Sequence, residues 1–218
     1  MPDPREQLRA TAHASLNAGD PTGWFETIYR EAGGDPGVIP WANLAPNPHL
    51  QRWLARAELP PGGRALVIGC GLGDDAEALA TRGVGVSAFD VAPTAIHWAR
   101  RRFPASAVEY RVADLFAPPP EWRQAFDLVV EINTVQALPL DERRRAMGAL
   151  AGFLRPGGIL FICCRARDDH ENPEGPPWPL SREELAHFRD LGLREHFFEE
   201  LFDGEQPPVR RFIVEYRA

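Results

Sequence analysis

The chain has 218 residues, 44% of them hydrophobic, with a formal net charge of −7, which suits one α/β domain with a core of its own. All 24 residues of the Lys+Arg count are arginine, so Schiff-base chemistry and a phosphate-loop lysine are excluded, and the acidic balance argues against nucleic acid as a partner. There is no apolar run of about 18 residues, and the N-terminus MPDPREQLRA has no signal-like apolar stretch, so no membrane partner and a cytoplasmic location are expected.

In chain order, residues 2–19 read as a short helix ending at Gly19, a plausible C-cap. Residues 20–48 (beginning DPTGWFETIYREAGGDPG) are rich in aromatics, Gly and Pro and are expected to form no regular core element. Trp24, Phe25, Tyr29 and Trp41 are costly to leave exposed, so they should cover something: either the domain surface, as a packed arm, or a cationic ligand, as an aromatic lid. His49–Glu58 reads as an amphipathic helix, and Pro60-Pro61-Gly62-Gly63 as a turn.

An apolar strand at Ala65–Ile68 then runs into Gly69, Cys70, Gly71 and Gly73; a helix spans Asp74 to about Arg82; a second strand, Val84–Phe89, ends on Asp90. The acid falls about 20 residues past the first glycine, the arrangement of a ligand-binding βαβ unit whose acid takes the hydroxyls of a ribose. Asp74 stands where a dinucleotide fold has its third glycine, and Asp75 follows. Two carboxylates at a helix N-terminus favour the helix dipole but repel a pyrophosphate. They do not repel S-adenosylmethionine (SAM), a cofactor with a sulfonium, an ammonium and no phosphate. The sequence therefore points to SAM over NAD.

Pro93 opens a further helix to about Phe103, with His97 on it as a surface or packing residue. The third strand spans Ala107–Val112 and leads to Ala113-Asp114-Leu115; the fourth, Phe126–Val130, leads to Glu131-Ile132-Asn133-Thr134. Such continuous apolar runs are those of buried parallel strands. A helix over Pro139–Leu154 is closed by Arg155-Pro156-Gly157-Gly158, and Ile159–Cys164 is the fifth strand. After a long loop, Ser181 and Glu184 form a capping box for a helix to about Leu191. Arg194–Phe202 and Val209–Tyr216 read as a closing hairpin. The triplets Arg100–Arg102 and Arg143–Arg145 read as solvated helix faces, and Cys163 and Cys164 as buried strand cysteines. With Cys70 they suit a reducing compartment, and no His/Cys spacing suggests a metal.

Taken in order, VIGCGLG, Asp90, Ala113-Asp114-Leu115, FDLVVE and LRPGGILFI resemble the motifs of class I SAM-dependent methyltransferases over nearly the whole chain. The resemblance implies a Rossmann-like, doubly wound seven-stranded α/β sheet in the order 3-2-1-4-5-7-6 with strand 7 antiparallel. It also implies one domain over 1–218, with an N-terminal helical and aromatic lid (1–58) on a core (59–218). The flanks Tyr29, Pro40-Trp41, Pro48 and Leu50, with Gly175-Pro176-Pro177-Trp178-Pro179-Leu180-Ser181, resemble the thiopurine/thiol/halide group, which includes tellurite-resistance methyltransferases; that group often has Asp directly after Pro-Trp, where Ala42 stands here.

From this resemblance follows a set of expectations. Gly69, Cys70, Gly71 and Gly73 approach the methionine part of SAM; Asp90 binds its ribose. Val91, Asp114 and Leu115 surround the adenine, with Trp24, Tyr29 and Trp41 closing over the cofactor. Glu131 and Ile132 follow the fourth strand, with Glu131 meeting the ammonium or the acceptor. Tyr29, Glu131, Asn133 and Arg165 are the expected catalytic residues; Gln136 and the Asp168–His170 loop also face the acceptor. Arg165 would favour a thiolate, while an amine or hydroxyl would require a base such as Glu131, Asp168 or His170. The implied reaction is methylation of a small molecule at a thiol or related soft nucleophile, by a monomer or weak dimer with no metal. The alternatives are a small-molecule N- or O-methyltransferase and a non-catalytic SAM-binding protein.

Overall fold

The computed structural model describes residues 4–218. Seven strands form one sheet: β1 (Arg64–Ile68), β2 (Gly85–Asp90), β3 (Glu109–Val112), β4 (Phe126–Ile132), β5 (Leu154–Arg165), β6 (Arg194–Phe202) and β7 (Arg210–Arg217), in the order β3-β2-β1-β4-β5-β7-β6. The first five pair in parallel, and β7 runs antiparallel between β5 and β6. Sheet order and the antiparallel β7 match the expected fold.

The helices are α1 (Pro4–Asn17), α2 (Gly23–Glu31), α3 (Pro48–Leu54), α4 (Asp74–Ala80), α5 (Pro93–Arg102), α6 (Leu140–Phe153) and α7 (Arg182–Asp190). Strand residues alternate between two apolar layers, as the pleat requires. Leu66 and Ile68 join Phe89, Met147, Leu150 and Phe188 on the α6–α7 side. Ala65 and Val67 join Trp53, Leu79, Ile96 and Val130 on the α3–α4–α5 side. Both faces are covered, which is why β1 and β4 read as uninterrupted apolar runs.

The differences from expectation have local causes. The helix expected over residues 2–19 is α1; residues 2 and 3 lie outside the described residues. Residues 20–48 do hold a regular core element: α2 buries Trp24 and Tyr29. Its start is fixed by Asp20, whose Oδ1 accepts from the amides of Thr22 and Gly23 at 3.0 and 2.8 Å, and its Phe25, Ile28 and Tyr29 share one helical face. The Gly and Pro residues on both sides hide this pattern in the sequence. Helix α3 is shorter than expected, ending at Leu54. Strand β5 begins at Leu154 rather than Ile159: Leu154 already pairs with Phe126, and the Arg155–Gly158 turn is absorbed as a register shift before Leu128 pairs with Ile159.

Each arginine triplet is a solvated face except at one position: Arg100, Arg101, Arg144 and Arg145 are exposed, whereas Arg102 is half-buried and Arg143 buried. Arg102 holds the Asp74 carboxylate with two bonds, at 2.6 and 2.7 Å, and Arg100 donates to the Tyr110 carbonyl. Arg143 is buried, 3% exposed. It donates to the carbonyls of Leu138 and Trp178 at 3.0 and 2.9 Å and to Glu184 Oε1 at 2.5 Å. Glu184 is also the capping-box acid of α7 and the partner of Arg167 at 2.7 Å. One guanidinium thus ties α6, the segment before α7 and α7 itself.

Removing one member of such a buried pair leaves the other charge undercompensated, so Arg143→Ala should lower unfolding free energy by about 3 kcal/mol in urea. A loss below about 1 kcal/mol, the range of an exposed pair, would show that this cluster does not tie the elements together.

Candidate active site

A cavity of about 760 Å³ opens over the carboxyl ends of the parallel strands, the place where open α/β sheets bind ligands. Its floor is the turn after β1. The Cys70 amide donates to the Phe89 carbonyl at 2.9 Å. The Gly71 amide donates to Asp90 Oδ2 at 2.9 Å, and the other carboxylate oxygen accepts from the Ala92 amide at 2.9 Å. Asp90 therefore fastens the glycine turn to the end of β2. It is 7% exposed, and burial raises its pKa to about 6, against the pull of those amides.

Gly71 and Gly73 are sterically required. Gly71 has φ +51°, and a Cβ there would lie 3.1 Å from Tyr29 Oη; Gly73 has φ +93°, and a Cβ would lie 2.4 Å from Tyr110 Oη. A side chain at either position would meet a tyrosine in a backbone conformation that L-residues rarely adopt. The first contact also shows that the N-terminal segment reaches the glycine turn.

Tyr29 is buried, and its Oη accepts from the Trp41 indole at 2.8 Å. Trp24, Phe25, Tyr29 and Trp41 form one edge-and-stack aromatic cluster, and all four line the cavity. Burial, with the Asp90 carboxylate second, holds the Tyr29 phenol well above its usual pKa, so the hydroxyl stays neutral.

The remaining expected residues divide into two sets. Gly69, Cys70, Gly71, Val91, Asp114, Leu115, Ile132, Asn133, Gln136 and Arg165 line the cavity with Asp90. Asp114 also closes its own turn, accepting from the Phe116 amide at 2.8 Å. Gly73 sits behind the turn, against Tyr110. Glu131 does not face the cavity: it is fully buried, with Oε1 accepting from the amides of Thr134 and Val135 at 2.6 and 3.0 Å. Its Oε2 has no hydrogen-bond partner, and burial raises its pKa to about 7. It shapes the loop after β4 from beneath. The Asp168–His170 loop is also outside: Asp168 pairs with Arg210 at 2.7 Å and Asp169 accepts from the Glu183 amide at 3.0 Å. The acids Asp74 and Asp75 are not two free charges, since Arg102 neutralises Asp74 while Asp75 accepts from the Asn47 amide at 2.7 Å.

The end of the cavity around Asn133 and Arg165 also holds residues with no signal in the sequence. Arg211, from β7, is 6% exposed, pairs with Asp203 and Glu205, and donates to Asn133 Oδ1 at 3.3 Å. Asn133 has φ +61° and its amide donates to the Cys163 carbonyl at 3.0 Å. His49 lines the same end, and burial, then Arg211, lowers its pKa.

This geometry, a glycine turn and an acid on a 3-2-1-4-5-7-6 sheet, has counterparts among known proteins. Residues 65–158 match the family model described as a methyltransferase domain. A probable thiol methyltransferase 2 of Arabidopsis thaliana is 27% identical over 180 residues, covering 81% of this chain and 75% of that protein. A ubiquinone biosynthesis O-methyltransferase of Xanthomonas campestris is 34% identical over 118 residues, 53% of this chain and 48% of its own length, so the chain spans about half the length of that relative. The N-methyltransferase NodS of Bradyrhizobium japonicum, solved with S-adenosylhomocysteine, superposes with a TM-score of 0.69 at 23% identity, over 88% of this chain and 96% of that one, and shares the fold. Residues 65–158 thus match a methyltransferase domain, on a sheet shared with SAM-dependent methyltransferases of known structure.

The buried Glu131 gives a signed pH prediction. Its folded-state pKa, about 7, lies above its ordinary 4.5, so folding favours the protonated acid, and the ligand-free protein loses stability as pH rises through that window. Glu131→Gln removes this term. Relative to wild type it should be more stable at about pH 8 than at about pH 5 in urea titrations; an offset equal at both pH values would contradict the assignment.

Proposed function

We propose that the protein methylates the sulfur of a small thiol with SAM. The observation that carries this reading is the arginine-lined acceptor end, where Arg165 and Arg211 border the cavity beyond Asn133: cations beside a thiol favour the thiolate, its nucleophilic form. The thiol methyltransferase relative, which aligns over 81% of this chain, supports the same choice.

SAM fits the residues present. Asp90 keeps unused lone pairs on oxygens that each accept one amide bond, and would take the ribose hydroxyls. Gly69, Cys70 and Gly71 would lie under the methionine part, and Val91, Asp114, Leu115 and Ile132 beside the adenosine. The faces of Trp24, Tyr29 and Trp41 suit a sulfonium, which aromatic rings attract. The aromatic segment from α2 to Trp41 acts as a lid on the core, one functional unit with it, while α3 packs in the core itself. The cofactor supplies an electrophilic methyl group; the lid excludes water, and the strand ends hold the acceptor in line. The acceptor would meet the methyl group as the thiolate, its proton having gone to solvent, and the bound cofactor would supply that methyl group from its sulfonium. Tyr29, Asn133 and Arg165 position the reactants. Glu131 has no direct part.

A second reading, O-methylation, draws on His49, a cavity-lining imidazole whose pKa burial and then Arg211 lower, so that it is neutral and able to accept a proton. If it holds, a phenol should turn over faster than a thiol and His49→Ala should abolish that activity. The thiol reading requires the opposite order and little dependence on His49.

Calorimetric titration should give micromolar binding of S-adenosylhomocysteine and none of NAD. Asp90→Asn should weaken the former ten- to a hundredfold, about 1.5–3 kcal/mol for hydrogen bonds to a charged acceptor. SAM affinity should fall as pH drops through about 6, where Asp90 takes up its proton. Unchanged affinity in a folded Asp90→Asn variant would remove Asp90 from the cofactor site.

A further inference from the structure

Helix α2 brings Trp24, Phe25 and Tyr29 to the cavity, and its polar attachment to the core is narrow. Glu26, half-buried on α2, accepts from the Thr94 amide at 3.0 Å with Oε2 and from the Thr94 hydroxyl at 2.7 Å with Oε1. The other side-chain bonds of α2 stay within the N-terminal segment: the Trp24 indole donates to the Pro21 carbonyl, the Thr27 hydroxyl to the Gly23 carbonyl, and Tyr29 accepts from Trp41. Among the described residues, no other hydrogen bond or ion pair joins α2 to β1 or to anything after it.

Thr94 is the second residue of α5, a helix with no side-chain cap from its own N-cap residue, Ala92. The amides that open a helix find no partner within it. Here Pro93 has no amide hydrogen, Asp90 takes that of Ala92, and Glu26 takes that of Thr94. A floor carboxylate and a lid carboxylate thus hold one helix start from two sides, where the helix dipole favours negative charge. Below this point Ala92 and Ala95 share an apolar cluster with Tyr29, and Trp98 meets Tyr29 edge-on with ring centroids 6.1 Å apart. Apolar packing is non-directional. The two bonds to Thr94 are directional, so they fix the rotation at which α2 rests on α5, and with it the reach of Tyr29 to the glycine turn.

We infer that Glu26 is a positioning residue of the methyl-transfer site: by gripping Thr94 it sets Tyr29 and Trp41 over the cofactor. Cofactor on Asp90 and lid on Glu26 then act on the same turn of α5, so each favours the other. The inference rests on the reading of the cavity as a SAM site; the contact between α2 and α5 does not.

The test uses the full chain and the variants Glu26→Ala, Thr94→Val and Thr94→Ser. Amide hydrogen exchange of the ligand-free proteins is followed over α2, with β1 and β4 as internal references. Glu26→Ala should speed exchange in α2 about tenfold, as expected for bonds to a charged group, and Thr94→Val, which keeps the amide, should speed it less. Thr94→Ser retains the hydroxyl and should match wild type. Exchange in β1 and β4 should not change. Equal acceleration in β1 and β4 would reduce Glu26 to a contributor to overall stability, and unchanged exchange in α2 would show that it holds nothing; either result overturns the proposal. The second arm uses S-adenosylhomocysteine: its off-rate is timed by chasing radiolabelled ligand with an unlabelled excess, and its Kd is measured by calorimetry. Glu26→Ala should raise off-rate and Kd together about tenfold, leaving the association rate within about twofold, with Thr94→Ser again like wild type. Faster exchange in α2 with an unchanged off-rate would overturn the positioning role while leaving the SAM reading intact. A wild type that binds no S-adenosylhomocysteine would refute the SAM reading itself, and the exchange arm would still decide whether Glu26 holds α2 on α5.

Discussion

The bonds from Asp90 to the amides of Gly71 and Ala92 are the constraint on which the site depends. They hold a glycine turn and the start of α5 against one carboxylate, at the point where β1 and β2 reach the cavity. That carboxylate is kept largely out of water, at a cost visible in its raised pKa. A cationic cofactor is the natural compensation for such a charge, and the same economy extends to Asp75, whose pKa burial also raises to about 6.

The aromatic segment depends on the same point. Tyr29 reaches the turn because Gly71 has no side chain, and Trp41 is held by the Tyr29 hydroxyl. A substitution in the glycine turn would therefore displace the lid as well as the floor. The acceptor end is built differently: its arginines come from β5 and β7, and their arrangement follows from β7 lying antiparallel beside β5. The glycine turn and the arginine wall thus stand on different strands, and the proposed cofactor and acceptor sites can diverge separately on one fold.

What the sequence reveals follows from how local each signal is. The Gly69–Gly73 turn, Asp90, the apolar strands and the Ser181 capping box are contiguous patterns, and the structure has them where the residues indicate. Helix α2 is hidden because its apolar face is flanked by Gly and Pro that dominate composition. Glu131 stands at the end of β4 in the expected place, yet the amides of Thr134 and Val135 turn it beneath the loop, and loop direction is not written in strand periodicity. Arg143 looks like one of three solvated arginines, and only the docking of α7 on α6 buries it. Arg211, Asp203 and Glu205 had no local signature at all, because a hairpin turn becomes a cavity wall only through strand order.

The most direct test of this account is the structure of the complex with S-adenosylhomocysteine. The account predicts the ribose hydroxyls on Asp90, the adenine beside Asp114 and Leu115, and the homocysteine sulfur beneath Tyr29 and Trp41, pointing toward Asn133. A ligand bound elsewhere in the cavity, or a lid that leaves the sulfur open to solvent at saturation, would contradict it.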